Sequence, residues 1–140
     1  MDLWDVIDMC ASAKKDVYEI AQKFFSKLSR IKEAKEQLNL YNMRFIFVPK
    51  DGKSFTTEVK NGKITLTKGA PEYDFTRDMK FETTNDVLRE IFEGKSGMGR
   101  AWRRGDVYIY GFKCKYQAFA WMMRLLRIGQ GRLKETFDAY

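Results

Sequence analysis

Residues Tyr41 to Glu82 read YNMRFIFVPKDGKSFTTEVKNGKITLTKGAPEYDFTRDMKFE, and the alternation inside this stretch decides the fold. Apolar and polar residues exchange places with a period of two, the repeat of a strand that covers one face. The run is cut at Asp51-Gly52, Asn61-Gly62 and Gly69-Ala70-Pro71, residue types that supply the backbone angles of tight turns. Strands are expected at about Tyr41 to Val48, Ser54 to Lys60, Lys63 to Lys68 and Asp74 to Glu82, joined as an antiparallel meander. The second strand turns Phe55, Thr57 and Val59 to one face, and the third turns Ile64 and Leu66. In the fourth, Phe75, Arg77, Met79 and Phe81 fall together, which sets an arginine on the covered face: an ion pair or a slightly shifted register is the preferred reading, a cation that awaits the acidic head of a ligand the other.

Upstream, Leu3 to Leu38 contains no Pro or Gly, and Leu3, Ile7, Cys10, Val17, Ala21, Phe24, Leu28, Ile31 and Leu38 recur at helical spacing. This is a long amphipathic helix, with room for one break. Lys14 and Lys35 interrupt its apolar stripe, so a helix lying on a sheet is preferred to a coiled coil. Downstream, Thr83-Thr84-Asn85-Asp86 offers caps for a helix whose apolar face is Leu88, Ile91 and Phe92 and which Gly94 ends. A short helix around Ala101 and Trp102 follows, then a strand from Asp106 to Phe112 that reads as inserted in the sheet, then a helix from about Tyr116 to Ile128. Asp74, Asp78 and Glu82 share the polar side of the fourth strand, and a solvated row is the reading preferred to a catalytic pair.

The 140 residues suit one domain: residues 1–40 a helical segment, 41–128 the core and 129–140 a tail. No apolar run approaches the roughly 20 residues of a membrane-spanning helix. The start, Met-Asp-Leu-Trp-Asp, is acidic where a secretory leader is basic, so the cytoplasm is the expected location. The chain has no histidine, which removes Ser-His-Asp and Cys-His catalysis and the His-Glu-x-x-His zinc site. Cys10 and Cys114 lie far apart in no ligand spacing, so both are read as reduced and neither a metal nor a cofactor is expected. Gly94, Gly97 and Gly99 lack the surroundings of a phosphate loop. The formal charge of +7 suits an acidic partner, but the cations are dispersed except at Lys95, Arg100, Arg103 and Arg104. Nucleic-acid binding, with Tyr108 and Tyr110 beside Arg103, Arg104 and Lys113, ranks well below the readings that follow.

The last helix carries more apolar surface than one sheet can cover. Tyr116, Phe119, Met122, Met123 and Leu126 form one face, and Ala118, Trp121, Leu125 and Ile128 continue the arc. The excess must meet a second element, a partner chain, a membrane or a ligand. Met98, Met122 and Met123 are flexible and polarizable, suited to a cavity that takes ligands of varied shape.

The string Asp51-Gly52, Val59-Lys60-Asn61-Gly62-Lys63, Gly69, Asp74-Phe75-Thr76, Glu93-Gly94-Lys95, Ala101, Gly105 and Val107-Tyr108-Ile109-Tyr110-Gly111 resembles the pattern of the sterol carrier protein type 2 family. The resemblance covers about Met43 to Ile128, and order carries it more than any single motif. It implies an α+β fold, a five-stranded, mainly antiparallel sheet covered by helices, here with a long N-terminal helix. It also implies an apolar tunnel between sheet and helices for a lipid, fatty acyl or isoprenoid-like molecule, without catalysis. By position, Phe81, Leu88, Ile91, Phe92 and Met98 would form the walls, together with Trp102, Phe112, Phe119, Met122, Met123 and Leu126. Arg77, Lys95, Arg100, Arg103 and Arg104 would meet an anionic head group or, transiently, an anionic membrane. The alternative is an interaction module or homodimer built on the surplus apolar helix face.

Overall fold

The computed structural model describes residues 16–111 and 116–131. Helix α1 (Val17–Leu28) opens at Asp16, whose carboxylate accepts the backbone N–H of Tyr18 at 3.0 Å, a bond the first helical turn otherwise lacks. Val17, Ala21, Phe24, Phe25 and Leu28 make its buried stripe. The expected single helix breaks after Leu28 and resumes as α2 (Lys32–Leu38), while its stretch from Leu3 to Lys15 lies outside the described residues. At the break the Ser29 hydroxyl donates to the Ser26 carbonyl at 2.8 Å and Ile31 takes an extended conformation. The turn brings Ala34 and Leu38 into the core.

Five strands follow the order β3-β2-β1-β4-β5, with β1 (Met43–Pro49), β2 (Phe55–Lys60), β3 (Lys63–Lys68), β4 (Asp78–Thr83) and β5 (Tyr108–Tyr110). The first three form the expected antiparallel meander. Between β2 and β3 the turn residues Asn61 and Gly62 both have positive φ, 53° and 78°, as a two-residue hairpin requires. The fourth strand departs from the expected order: it pairs in parallel with β1, from Arg44↔Asp78 to Pro49↔Thr83. The sheet is therefore mixed, with one parallel pair at its centre. The reason lies in β1, where Phe45, Ile46 and Phe47 are all buried, so both faces need cover and both edges need a neighbour. The strand expected inside the sheet, β5, stands at its edge beside β4, and the wet side is met by amphipathic tyrosine, Tyr108 being 63% exposed.

The chain returns from β3 to β4 by crossing the sheet's second face, the side of Thr56 and Tyr110. The Thr56 hydroxyl donates to the Gly69 carbonyl at 2.9 Å, and Tyr73 stacks near Tyr110 with centroids 6.4 Å apart. This crossing ends in a turn around Asp74, whose carboxylate accepts both the N–H and the hydroxyl of Thr76 at 2.9 and 2.6 Å. Consequently β4 begins at Asp78, not Asp74. Phe75 is 59% exposed, and Arg77 is exposed too, with Asp74 3.6 Å away, in place of the expected covered position. The expected solvated row also fails at Asp78. It is fully buried, and its carboxylate accepts Arg44 Nε and Nη2 at 2.6 and 2.5 Å and the Asp74 N–H at 2.7 Å.

On the first face lie α1, α2, α3 (Asn85–Phe92), α4 (Met98–Arg103) and α5 (Tyr116–Gly129), whose buried side chains join one cluster with Phe45, Phe47, Phe55, Val59, Met79, Phe81 and Ile109. Thr84 caps α3 by accepting the Val87 N–H at 3.4 Å. The surplus apolar surface of α5 is covered from within the chain. Ala118, Phe119, Trp121, Met122, Met123, Leu125, Leu126 and Ile128 are all buried, with α1, α2 and α4 packed against the helix. Trp121 Nε1 donates to the Gln37 carbonyl at 2.8 Å, which ties α5 to α2.

Candidate functional site

The interior between sheet and helices is a continuous aromatic and methionine-rich layer. Phe47 is its hub, with ring centroids 5.0 Å from Phe55, 5.1 Å from Phe81 and 5.6 Å from Phe92. Phe92 extends the layer to α1 through Phe24 at 5.4 Å and Phe25 at 5.5 Å. Phe45 reaches Trp121 of α5 at 5.9 Å.

Nine of the eleven wall residues named from sequence meet in this cluster: Phe81 from β4, Leu88, Ile91 and Phe92 from α3, Met98 from α4, and Phe119, Met122, Met123 and Leu126 from α5. None is more than 5% exposed. Trp102 instead lies at the rim, 38% exposed, its ring 6.2 Å from Phe119. Phe112 lies outside the described residues. The sequence reading did not count as walls Phe45, Phe47 and Phe55 of the sheet or the α1 pair Phe24 and Phe25, although it had set Phe55 on a strand's covered face and Phe24 on the helical stripe. Strand alternation at Phe45 and Phe47 and helical spacing at Phe24 were the available signals.

Polar atoms are scarce here. The buried polar or charged residues among those described are Thr56, Thr57, Asp78 and Thr83. Thr56 and Asp78 lie on the second face. Thr83 donates its hydroxyl to the Asp106 carbonyl at 2.7 Å. The Thr57 hydroxyl is buried without a hydrogen-bond partner. Two surface grooves border α1 and have core aromatics in their walls. One, of about 360 Å³, is lined by Gln22, Phe25, Ser26 and Ser29 of α1's side and by Ile64 and Leu66 of β3. The other, of about 260 Å³, lies where Phe24, Lys23 and Lys27 face Phe92, Gly94 and Gln130.

The five cations named as head-group contacts do not form one group. Arg77 lies at the end of the crossing, in a small groove with Arg44, Glu58 and Lys60. Lys95, Arg100, Arg103 and Arg104 lie on and beside α4, all exposed. Within that group Lys95 pairs with Glu93 at 2.9 Å, and Arg104 reaches the Ser96 hydroxyl at 3.4 Å and Asp106 at 3.8 Å.

This architecture is the sterol carrier protein 2 fold. A crystal structure of sterol carrier protein 2 superposes with a TM-score of 0.60 at 14% identity, covering 80% of this chain and 94% of that one. The UbiJ-SCP2 ubiquinone synthesis protein gives a TM-score of 0.61 at 15% identity, over 81% and 94%. The palmitated SCP2L2 of Aedes aegypti gives 0.54 at 12% identity, over 76% and 90%. No family model and no curated protein matches the sequence.

Proposed function

We propose that the protein binds a hydrophobic or lipid-like molecule between its sheet and its helices, catalyses no reaction on it, and can pass it to a membrane. One observation carries this reading: the side chains between the two layers are almost wholly apolar, rich in phenylalanine and methionine, and the grooves that border α1 have Phe24, Phe25 and Phe92 of that layer in their walls. The likeness to a palmitated protein of the same fold supports it. Each buried methylene contributes about 0.8 kcal/mol, so a fatty chain offsets much of what it costs to part packed rings. Met98, Met122 and Met123 can rearrange around it at little rotameric cost.

Trp102, half-exposed among Arg100, Arg103 and Arg104, suits brief contact with an anionic membrane, the indole in the interface and the cations near the phosphates. No helix among the described residues is long and apolar enough to cross a membrane, and our reading is of a cytoplasmic carrier. The competing interaction module loses its main support, because the apolar surface of α5 is buried by the chain's own helices.

Native mass spectrometry of the purified protein, followed by denaturing extraction, tests the proposal. It predicts a lipid bound one to one, or uptake of one by the stripped protein from mixed fatty acids, esters and isoprenoids. Protein that is empty and takes up none of them would refute it.

A further inference from the structure

Among the described residues three threonines are buried, and two of them satisfy their hydroxyls on backbone carbonyls: Thr56 on Gly69 at 2.9 Å and Thr83 on Asp106 at 2.7 Å. The third, Thr57, has no accessible surface and no partner for its hydroxyl. An orphaned hydroxyl in an apolar interior is destabilising, and valine would fill the same space without the penalty. A buried polar atom in that state calls for an explanation.

Its position supplies one. Thr57 shares the helix-facing side of β2 with Phe55 and Val59, and is paired directly with Phe45 of β1 and Leu66 of β3. Phe55 touches the central ring of Phe47, and Phe45 touches Trp121 and Phe81. On the other side, Leu66 belongs to the wall of the 360 Å³ groove between α1 and β3. The hydroxyl thus stands one strand in from a groove that opens to solvent, at the border of the aromatic layer.

We infer that Thr57 is a specificity residue: its hydroxyl donates a hydrogen bond to a neutral carbonyl oxygen of a lipid that enters by the groove between α1 and β3. This rests on the lipid-binding reading above and narrows it. A carboxylate is disfavoured beside Thr57, because its neighbours on that face, Phe45, Phe55, Val59 and Leu66, carry no charge, and an ion desolvated without a partner is costly. A pure hydrocarbon leaves the hydroxyl as it finds it. A carbonyl ester or ketone is the group that satisfies it without bringing charge.

The test compares methyl palmitate, palmitate and hexadecane, delivered from cyclodextrin to the delipidated full chain and followed by tryptophan fluorescence. Wild type, Thr57→Val and Thr57→Ser are measured side by side, together with their ligand-free melting temperatures. Methyl palmitate is expected to bind wild type the most tightly of the three. Thr57→Val should weaken methyl palmitate roughly tenfold, in line with one lost hydrogen bond to a desolvated carbonyl, leave hexadecane unchanged, and melt higher than wild type. Thr57→Ser should keep the preference. If hexadecane or palmitate binds wild type as tightly as methyl palmitate, or if Thr57→Val binds the ester undiminished, the inference is overturned while the lipid reading stands. The wild-type ranking decides this even if a variant fails to fold. Wild type that binds none of the three overturns the inference, and the extraction and uptake experiment above then decides the lipid reading.

Discussion

Asp78 and Arg44 sit opposite one another in the parallel pair of β1 and β4, and the bidentate contact between them closes at 2.6 and 2.5 Å. The Asp78 carboxylate, as hydrogen-bond partner, raises the Arg44 guanidinium further above its ordinary pKa. Arg44 also reaches the Glu72 carbonyl at 3.5 Å, so the pair anchors the crossing as well as the strands. Removing one partner strands the other, and Asp78→Asn or Arg44→Leu should each cost about 3–5 kcal/mol in urea unfolding. Replacing both by leucine should recover much of that loss. At the end of α5, a methyl group on Gly129 would run into the ring of Phe24, so Gly129→Ala should destabilise by about 1–3 kcal/mol, read as a lower melting temperature. Neither site announces itself in the sequence: Asp78 looks like a surface acid in an alternating strand, and Gly129 like an ordinary helix stop. Both acquire their roles from a neighbour more than 30 residues away, which local periodicity does not encode.

Among the elements, the crossing has the clearest pH signature. The bonds from the Thr76 hydroxyl and N–H, with Arg77 and Arg44 nearby, hold the Asp74 carboxyl below its usual value of 3.8. A carboxyl whose folded pKa is depressed stabilises the fold above its unfolded pKa, and the contribution disappears as pH falls through the folded value. Acid titration followed by circular dichroism should therefore show wild type losing stability below about pH 4 more steeply than Asp74→Asn, which lacks this dependence. Equal slopes would remove Asp74 from the account. The strands themselves were legible because their alternation and their Gly-containing turns are local signals. Their order was not. A meander is the simplest way to join four alternating runs, and what overrules it is β1, apolar on both faces through Phe45, Ile46 and Phe47, a signature of a central strand present in the sequence. The segment of β5, apolar or amphipathic on both faces, was expected inside the sheet and stands at its edge, with Tyr108 exposed.

For the whole molecule, the layer between sheet and helices must serve both as core and as the proposed binding region. Most of the wall residues named from sequence meet there, because their helical spacing and their order along the chain were visible. The grooves beside α1 were not, since they depend on which strands become neighbours and on how α1 lies across them. Dual use has a consequence for mutagenesis. Phe119→Ala or Leu126→Ala should cost about 2–5 kcal/mol of stability, so loss of ligand in such variants is ambiguous, whereas the volume-conserving Met122→Leu should cost less than about 1.5 kcal/mol. That variant should fold normally, by thermal melting, and accept a narrower range of lipid chain shapes, because leucine lacks methionine's adaptability.

The methionines give the most direct measurement of where a lipid goes. Met79, Met98, Met122 and Met123 line the interior from β4, α4 and α5, and Met43, at the start of β1, belongs to the same buried cluster and also borders the groove of Arg44 and Arg77. With methionine methyl groups labelled by carbon-13, the spectrum is followed as methyl palmitate is added to the stripped protein. Binding between sheet and helices predicts saturable shifts at Met79, Met98, Met122 and Met123. A spectrum in which those four stay still, or in which Met43 alone moves, would contradict it.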